Sequence, residues 1–496
     1  MQLSMLLDGV KVVKLFQTMF GQMVVTHDVK VHNIQYDSRK VERNDCFVAI
    51  RGMEMDGHRF LGDAVQKGAK VIVIEDDAAY PDSLAMHTSV VKVVVNNSRQ
   101  ALARMAANYY GHPAQKLTVV GVTGTNGKTT TTHLIKSILE ARGDKVGLIG
   151  TIEYALGTQK EPAPHTTPES LELHSLLARM VNAGCTSVSM EVSSHALHQS
   201  RVHGIDFRAA VFTNLTQDHL DYHGSMENYF QAKKILFNEL SEASSAITNV
   251  DDPWGLKMIA STKASTLRYG VESAADVRAA NIDLSLNGIA IDIEYGGMRN
   301  RVTSPLIGRF NVYNILAAYA TGKAIGIPEQ AIQQGIASLR AVKGRLERVD
   351  SPKGWTAIID YAHTPDALEK CLRAVRELLS TGRIITVFGA GGDRDRTKRP
   401  LMGKIAARLS DLVIVTSDNP RTEDPQQIMN DIVAGIPETV SVQQIINRRE
   451  AIRKATELAR SGDVIVIAGK GHEEYQVFGT EKIHFSDREV VEEFAR

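Results

Sequence analysis

The stretch VGVTGTNGKTTTTHL, Val120 to Leu134, decides how the centre of this chain is read. Its core, Gly124-Thr125-Asn126-Gly127-Lys128-Thr129-Thr130, combines three ingredients of a phosphate loop. Glycines let backbone N–H groups close on an anion, a lysine meets phosphate charge, and a threonine hydroxyl can take Mg²⁺. The apolar residues at 117–122 predict a buried strand and those at 129–141 a helix, so the loop falls at a helix N-terminus, where anions bind well. The widespread G-x-x-x-x-G-K-[ST] spacing is not met, because Val122 stands five residues before Gly127; the shorter G-x-x-G-K-T is met. Spacing alone leaves both a nucleotide loop and a glycine-rich turn open.

The chain of 496 residues is long enough for roughly three or four domains. Its hydrophobic content of 43% supports buried cores rather than disorder. Lys plus Arg and Asp plus Glu balance at 57 each, so no overall basic field recommends nucleic acid as a partner. The basic cluster from Arg394 to Arg399 suits small anionic ligands instead. Cys46, Cys185 and Cys371 are too few and too far apart for a disulfide framework or a zinc site. With no long uncharged apolar run and no signal-peptide pattern, the expectation is a soluble cytoplasmic protein without membrane insertion.

Short strands over 31–36 and 69–74 open the chain, and a helix over 98–110 ends at Gly111-His112-Pro113. A strand–helix alternation then predicts a largely parallel sheet, with strands over 117–122, 145–149, 187–191, 209–213 and 245–249. A β-rich section over 279–306 precedes a helix over 312–325. A second alternation has strands over 355–360, 384–388, 412–416 and 464–468. Each runs into a polar loop: Asp360-Tyr361-Ala362-His363, then 389–394, Ser417-Asp418-Asn419-Pro420-Arg421 and Gly469-Lys470-Gly471-His472-Glu473. Ligands of open α/β sheets bind beyond the carboxyl ends of the strands, where these loops lie.

In the central alternation, Glu191 leaves a strand in Glu191-Val192-Ser193-Ser194-His195, as a Mg²⁺ ligand or as an ordinary exposed carboxylate. The next strand runs into 213–223, which is rich in metal-capable groups. A zinc site among His195, His198, His203, His219 and His223 is the weaker alternative, since no H-E-x-x-H pattern exists. Met226, Tyr229, Phe230, Lys233, Leu236, Phe237 and Leu240 share one helix face, which sets Lys233 in an apolar stripe. A lysine there loses its proton, finds an anion or snorkels to water. A neutral amine can also add carbon dioxide to form a carbamate, a possible Mg²⁺ ligand.

The ordered set of Gly124 to Thr130, Glu191-Val192-Ser193-Ser194, Asn214-Leu215-Thr216-Gln217-Asp218-His219, Lys233, Asn311-Val312-Tyr313-Asn314, Gly344-Arg345 and Asp360-Tyr361-Ala362-His363 resembles the Mur ligases. These are ATP-dependent amide-bond-forming enzymes of peptidoglycan precursor synthesis, and the short loop spacing is theirs. The resemblance runs from about Tyr36 to Glu473. It implies an α/β protein of three domains: an N-terminal α/β UDP-sugar domain over 1–112, a central P-loop-type, mostly parallel-sheet ATPase domain over 113–343, and a C-terminal Rossmann-like amino-acid domain over 344–496. The resemblance also implies a monomer.

The resemblance further implies site residues. Gly124, Thr125, Asn126, Gly127, Lys128, Thr129 and Thr130 would hold ATP, with Asn311 at the adenine end and Arg345 and Asp360 reaching the nucleotide. Thr129, Glu191, His219 and a carbamylated Lys233 would form or orient the Mg²⁺ sites. Lys128, His219, Lys233 and Asp360 would stand nearest the chemistry. Ser38, Thr166, Thr167, Ser193 and Arg201 would bind the nucleotide sugar. Without the resemblance, Thr166 and Thr167 read as an extended loop and Arg201 as a surface charge. The implied reaction activates a substrate carboxylate as an acyl phosphate, which an amine then attacks. Sites on separate domains imply open and closed states that keep water from the acyl phosphate.

Asp418-Asn419-Pro420-Arg421 and Gly469 to Glu473 resemble the members that add meso-diaminopimelate to UDP-N-acetylmuramoyl-L-alanyl-D-glutamate (UDP-MurNAc-L-Ala-D-Glu). Arg421 can pair bidentately with the distal carboxylate, Arg394 adds positive charge, and Glu473 with the Gly469 backbone can receive the distal ammonium. A salt bridge from Arg421 to Glu423 or Asp424 is the structural alternative. Other readings are a lysine-adding ligase, a folylpolyglutamate-synthase-like enzyme, a nucleotide-sugar binder without catalysis, and an unrelated ATPase or kinase.

Overall fold

The computed structural model describes residues 1–19, 22, 23, 28–52 and 55–495. The chain forms two compact units, one of Met1–Lys128, Leu139–Tyr269 and Tyr319–Pro328, the other of Thr129–Ile138, Gly270–Ala318 and Glu329–Arg496. Among the described residues no helix is long and apolar enough to cross a membrane.

The first unit opens on a five-stranded sheet in the order Val12–Phe16, Val91–Val95, Val71–Ile74, Cys46–Val48, Ile34–Gln35, parallel except at its first strand. The strand expected over 31–36 shrinks to Ile34–Gln35 because the amides of Val31 and His32 bond Met1 and Asn44 carbonyls instead of a ladder partner. The helix Ser98–Tyr109 follows, its first turn capped by the Asn97 side chain on the Gln100 amide.

The same unit holds the parallel run Val146–Ile149, Ser187–Glu191, Thr118–Thr123, Ala209–Phe212, Ser245–Asn249 and Ser265–Gly270. Parallel strands with both faces covered read as continuous apolar runs, which is why these segments stood out in the sequence. The strand expected from 117 begins at Thr118, because the Leu117 amide closes the preceding turn on Ala114. An antiparallel hairpin, Glu153–Leu156 with Gln159–Pro162, was not anticipated and extends one edge. Because the parallel strands share a direction, the residues after Thr123, Ile149, Glu191, Phe212 and Asn249 all emerge on one edge of the sheet.

In the second unit, Val277–Ser285, Gly288–Tyr295 and Met298–Ser304 form an antiparallel meander, and the helix Phe310–Ala324 begins here. The β-rich section and helix expected at 279–306 and 312–325 correspond to these elements. A second sheet runs Glu347–Asp350, Thr356–Asp360, Val464–Ala468, Ile384–Phe388, Leu412–Val415, Val442–Gln444, parallel except for its first strand. Here too the polar loops follow the carboxyl ends. The helix Pro365–Leu378 covers it, started by Thr364 on the Ala367 amide and by proline at its first position.

His174, in the helix Ser170–Asn182, is 1% exposed and neither ring nitrogen has a hydrogen-bond partner. Burial, and after it the charge of His112, pushes its pKa from 6.5 down to about 4. The unfolded chain therefore binds a proton that the folded chain refuses, so this site's contribution to stability is whole above about pH 6.5 and is lost as pH falls toward 4. The slope reaches ~1.4 kcal/mol per pH unit. His174→Leu should narrow the gap between the Tm at pH 7 and at pH 5; thermal unfolding with an unchanged gap would refute this.

Candidate active site

Gly124 takes φ +148°, and a Cβ there would lie 1.9 Å from Thr213 Oγ1, so only glycine fits the turn out of the strand. Asn214 ties the loop down: its carbonyl accepts from the Thr125 amide at 2.8 Å, its Oδ1 from the Asn126 amide at 3.0 Å. The Thr213 hydroxyl adds a bond to the Asn126 carbonyl at 2.6 Å. Gly127, at φ +85°, then opens the helix Lys128–Arg142, which has no side-chain cap. The amides of its first turn, at Lys128, Thr129 and Thr130, are thus disposed toward an anion.

Two lysine amines converge on this loop. Lys128 Nζ donates to the Gly124 carbonyl at 3.0 Å and to Thr125 at 2.9 Å, and Lys233 Nζ donates to the same Gly124 carbonyl at 2.8 Å. Lys233 is 1% exposed in the helix Met226–Asn238 and lies over the Tyr229 ring. It does not snorkel. Burial, then the Lys128 charge, drives its pKa well below the ordinary lysine value, with Asp218 opposing. Two amines gathered at the first turn of a helix make the loop a fit for a polyphosphate. The Thr129 hydroxyl and the Glu191 carboxylate are hard donors that fit Mg²⁺, and an uncharged Lys233 amine is the form that adds carbon dioxide.

Glu191 is not an exposed strand-end carboxylate: it is 1% exposed and accepts from the Thr151 amide at 2.9 Å and hydroxyl at 3.2 Å. Around it the structure gathers four residues expected on the nucleotide-sugar path. Thr166 Oγ1 meets Thr151 Oγ1 at 3.0 Å, and Thr167 Oγ1 donates to the Glu191 carbonyl at 2.8 Å. The same Thr167 hydroxyl accepts from the Ser193 amide at 3.1 Å, while Arg201 donates to the Thr167 carbonyl at 2.8 Å. Arg201 is therefore tied into this network rather than being a free surface charge, and Glu169 stands 3.4 Å from its Nε. Ser38 begins the short turn Ser38–Lys40 outside this network; two residues earlier, Tyr36 donates to Glu172 at 2.9 Å.

His219 adopts a left-handed backbone (φ +51°) ahead of the helix Leu220–His223 and packs edge-on to His195 with ring centroids 4.8 Å apart. Burial first, and His219 next, lowers the His195 pKa; burial and the neighbouring histidines take His223 to about 4. Among the described residues no three His, Cys, Asp or Glu side chains group to hold a metal, so the zinc alternative finds no support.

In the second unit, Asn311 is 2% exposed and accepts from Asn314, whose Oδ1 takes the Thr131 hydroxyl of the phosphate-loop helix at 3.3 Å. Asp360, at the end of its strand, accepts from the Leu346 amide at 2.8 Å and the Ala362 amide at 2.9 Å. Burial raises its pKa while Arg345 opposes. Arg345 lies over the Tyr361 ring with its Nε buried and unpaired. Gly344 makes this possible: a Cβ on it would stand 2.3 Å from the His472 amide.

The loops at 389–394, 417–421 and 469–473 meet at the carboxyl edge of the second sheet. A Cβ on Gly392 would fall 1.9 Å from the Pro420 carbonyl, and one on Gly469 would fall 2.6 Å from Asp418 Oδ2. Arg421, at φ +53°, is pinned by its own backbone to Val477 and Gly479 of the hairpin formed by Tyr475–Phe478 and Glu481–His484. Its guanidinium donates to the Gly392 carbonyl at 2.6 Å. Glu423 is taken by Arg396 and Arg399, and Asp424 caps the helix Pro425–Val433, so neither is the partner of Arg421. Arg394 donates to the Asp393 carbonyl at 3.0 Å. Glu473 accepts from Asn419 at 2.9 Å and from Lys470 at 3.0 Å.

Two supporting residues escaped the sequence reading. Arg448 pairs with Asp487 through bonds of 2.7 and 2.8 Å, both side chains 0% exposed, and also donates to the Ala468 and Ser417 carbonyls at 3.1 and 3.4 Å. Those carbonyls immediately precede Gly469 and Asp418. Nothing in the run Asn447-Arg448-Arg449-Glu450 distinguishes Arg448 from a solvated helix start. Lys470 is fully buried, a burial that its place between two glycines does not signal in the sequence.

Comparison with known proteins agrees in order along the chain. Family models described as "Mur ligase family, catalytic domain", "Mur ligase middle domain" and "Mur ligase, glutamate ligase domain" match residues 30–110, 122–322 and 344–471. A Clostridium botulinum protein named UDP-N-acetylmuramoyl-L-alanyl-D-glutamate–2,6-diaminopimelate ligase is 45% identical over 94% of this chain and 95% of its own. One of the same name from Gloeobacter violaceus is 48% identical over 94% of each. A solved structure of a ligase of that name superimposes with a TM-score of 0.70 at 34% identity, covering 95% of this chain and 97% of the other. With relatives matched over nearly their whole length and all three domain models in sequence order, the chain belongs to the Mur ligase family.

Proposed function

We propose that this chain uses ATP to join an amino group of meso-diaminopimelate to the γ-carboxylate of D-Glu in UDP-MurNAc-L-Ala-D-Glu, a step of peptidoglycan precursor synthesis. The relatives' shared name supports the reaction. The observation that carries the choice of amino acid is the single cluster made by Asp418, Asn419, Arg421, Gly469 and Glu473, in which Arg421 has no carboxylate partner among the described residues.

The substrate carboxylate attacks the γ-phosphorus of ATP, the bond to the β,γ-bridging oxygen breaks, and ADP leaves. The incoming amine attacks the acyl phosphate as the free base, loses its proton to solvent, and the tetrahedral intermediate expels phosphate. Positioning and charge neutralisation dominate phosphoryl transfer. Lys128 and the amides after Gly127 would hold the terminal phosphates, and Arg345 and Asp360 would meet the nucleotide, with Asn311 at its adenine end. Mg²⁺, held by Thr129, Glu191, His219 and a carbamylated Lys233, would supply positive charge to the phosphate oxygens. The depressed Lys233 pKa supports the carbamate, since only the neutral amine adds carbon dioxide. Ser38, Thr166, Thr167, Ser193 and Arg201 would bind the nucleotide sugar. Arg394 and Arg421 would take the distal carboxylate of the amino acid, and Glu473 its ammonium. A cytoplasmic monomer of three domains, divided near 112 and 343, is part of this proposal.

Phosphate release from ATP with UDP-MurNAc-L-Ala-D-Glu should require meso-diaminopimelate and should not be supported by L-lysine. Release with lysine alone would overturn the reading of the C-terminal pocket; no amino-acid-dependent release from folded protein would overturn the ligase. Arg421→Ala should raise the KM for diaminopimelate by about 30- to 100-fold, the worth of a bidentate charged pair, with the KM for ATP unmoved. Lys233→Arg should lower kcat by about a hundredfold or more. Carbon-13 bicarbonate should give a carbamate resonance in the wild type that this variant lacks, and a signal retained in Lys233→Arg would sink the assignment to Lys233.

A further inference from the structure

Lys470 stands between Gly469, at φ +115°, and Gly471, at φ +53°, and this pair of left-handed turns swings its side chain inward. The side chain is 0% exposed. Its Nζ donates to Glu473 Oε2 at 3.0 Å and to Asn419 Oδ1 at 3.2 Å, and lies 5.4 Å from the centre of the Tyr475 ring. Asn419 Nδ2 donates to the same Glu473 oxygen at 2.9 Å, and Asn419 Oδ1 also accepts from the Val477 amide at 3.1 Å. Lysine, asparagine and glutamate thus close a three-membered ring of bonds, which orients the Asn419 amide and turns one Glu473 oxygen inward.

We propose that Lys470 is a specificity-determining positioning residue, whose buried charge tunes Glu473 so that the pocket takes an amino acid with a zwitterionic distal head and rejects one with a lone distal ammonium. The argument is one of charge. Arg394 and Arg421 bring positive charge to the loops of the pocket, and Lys470 sets a further cation directly against Glu473 at 3.0 Å. A lysine tail brings a further uncompensated positive charge, whereas the distal head of diaminopimelate brings a carboxylate and an ammonium together. Without Lys470, Glu473 loses the ammonium that Lys470 holds against it and keeps the neutral Asn419 amide, which leaves it a better acceptor for a lone ammonium. Because Lys470 is buried against Glu473, solvent screens this effect far less than it would a surface pair. Glu423, by contrast, is committed to Arg396 and Arg399.

This role rests on the reaction proposed above, and the test separates the two. Lys470→Gln removes the charge while keeping a hydrogen-bond donor, and Lys470→Arg keeps the charge. Steady-state kinetics of phosphate release would be measured with meso-diaminopimelate and with L-lysine, alongside the KM for ATP and the Tm. In Lys470→Gln the ratio of kcat/KM for lysine to that for diaminopimelate should rise about tenfold, chiefly through the amino-acid KM, as expected for losing a charge-assisted contact. The KM for ATP should stay within about twofold, and Lys470→Arg should keep the wild-type ratio. A wild type selective for diaminopimelate with a Lys470→Gln variant equally selective would overturn the role of Lys470 alone. So would a KM for ATP that rises by the same factor, or an arginine variant that loses selectivity as the glutamine variant does. A wild type active with neither amino acid would overturn the reaction and this role with it.

Discussion

The carbonyl of Gly124, with the amines of Lys128 and Lys233 both donating to it, is the constraint on which the rest of the first unit depends. The buried Lys233 amine and the half-buried Lys128 amine both donate to this carbonyl, and Lys128 donates to the Thr125 carbonyl as well. Two cations set this close repel each other, which favours the neutral form of the buried one. Burial and the Lys128 charge push the Lys233 pKa down, with Asp218 opposing. The same pair of amines, with the helix N-terminus beside them, suits the loop to a polyphosphate.

Parallel strands turn that local chemistry into a site. Because neighbouring strands run the same way, loops separated by tens of residues in the chain leave the sheet along one edge. Gly124, Thr151, Glu191 and Asn214 meet through this geometry, and so, in the other sheet, do Asp418, Gly469 and Glu473. The glycines among them are needed for close approach: at Gly124, Gly392 and Gly469 a single methyl would collide with the facing loop.

Buried charge holds the second site in place. Arg448 and Asp487 lie wholly out of water and bond the last carbonyls before two pocket loops. Breaking such a pair by removing one partner commonly costs about 3–5 kcal/mol, although its net contribution against an apolar replacement is small. Its visible use is geometric. The guanidinium fork fixes the separation of two strand ends, which hydrophobic packing alone leaves looser.

The phosphate loop, the strand-end motifs and the strand–helix alternation were legible in the sequence because each depends on neighbours in the chain: glycine spacing, apolar runs, cap residues. Strands such as Ser187–Glu191 and Val464–Ala468 were delimited to the residue for that reason. Where backbone donors were taken by distant partners, as at Val31 and His32, local pattern overstated the strand. The hairpins at Glu153–Pro162 and Tyr475–His484 went unseen, since their pairing is settled by the sheet or loop they dock on. Motif residues could be named in advance, but not the burial of Lys233, the partners of Arg421, or the support from Arg448 and Lys470. The sequence by itself determined which chemical groups the chain carries and the order in which they leave the strands. Only the tertiary structure decided which of those groups lose water and meet, because desolvation and charge pairing are properties of neighbours in space.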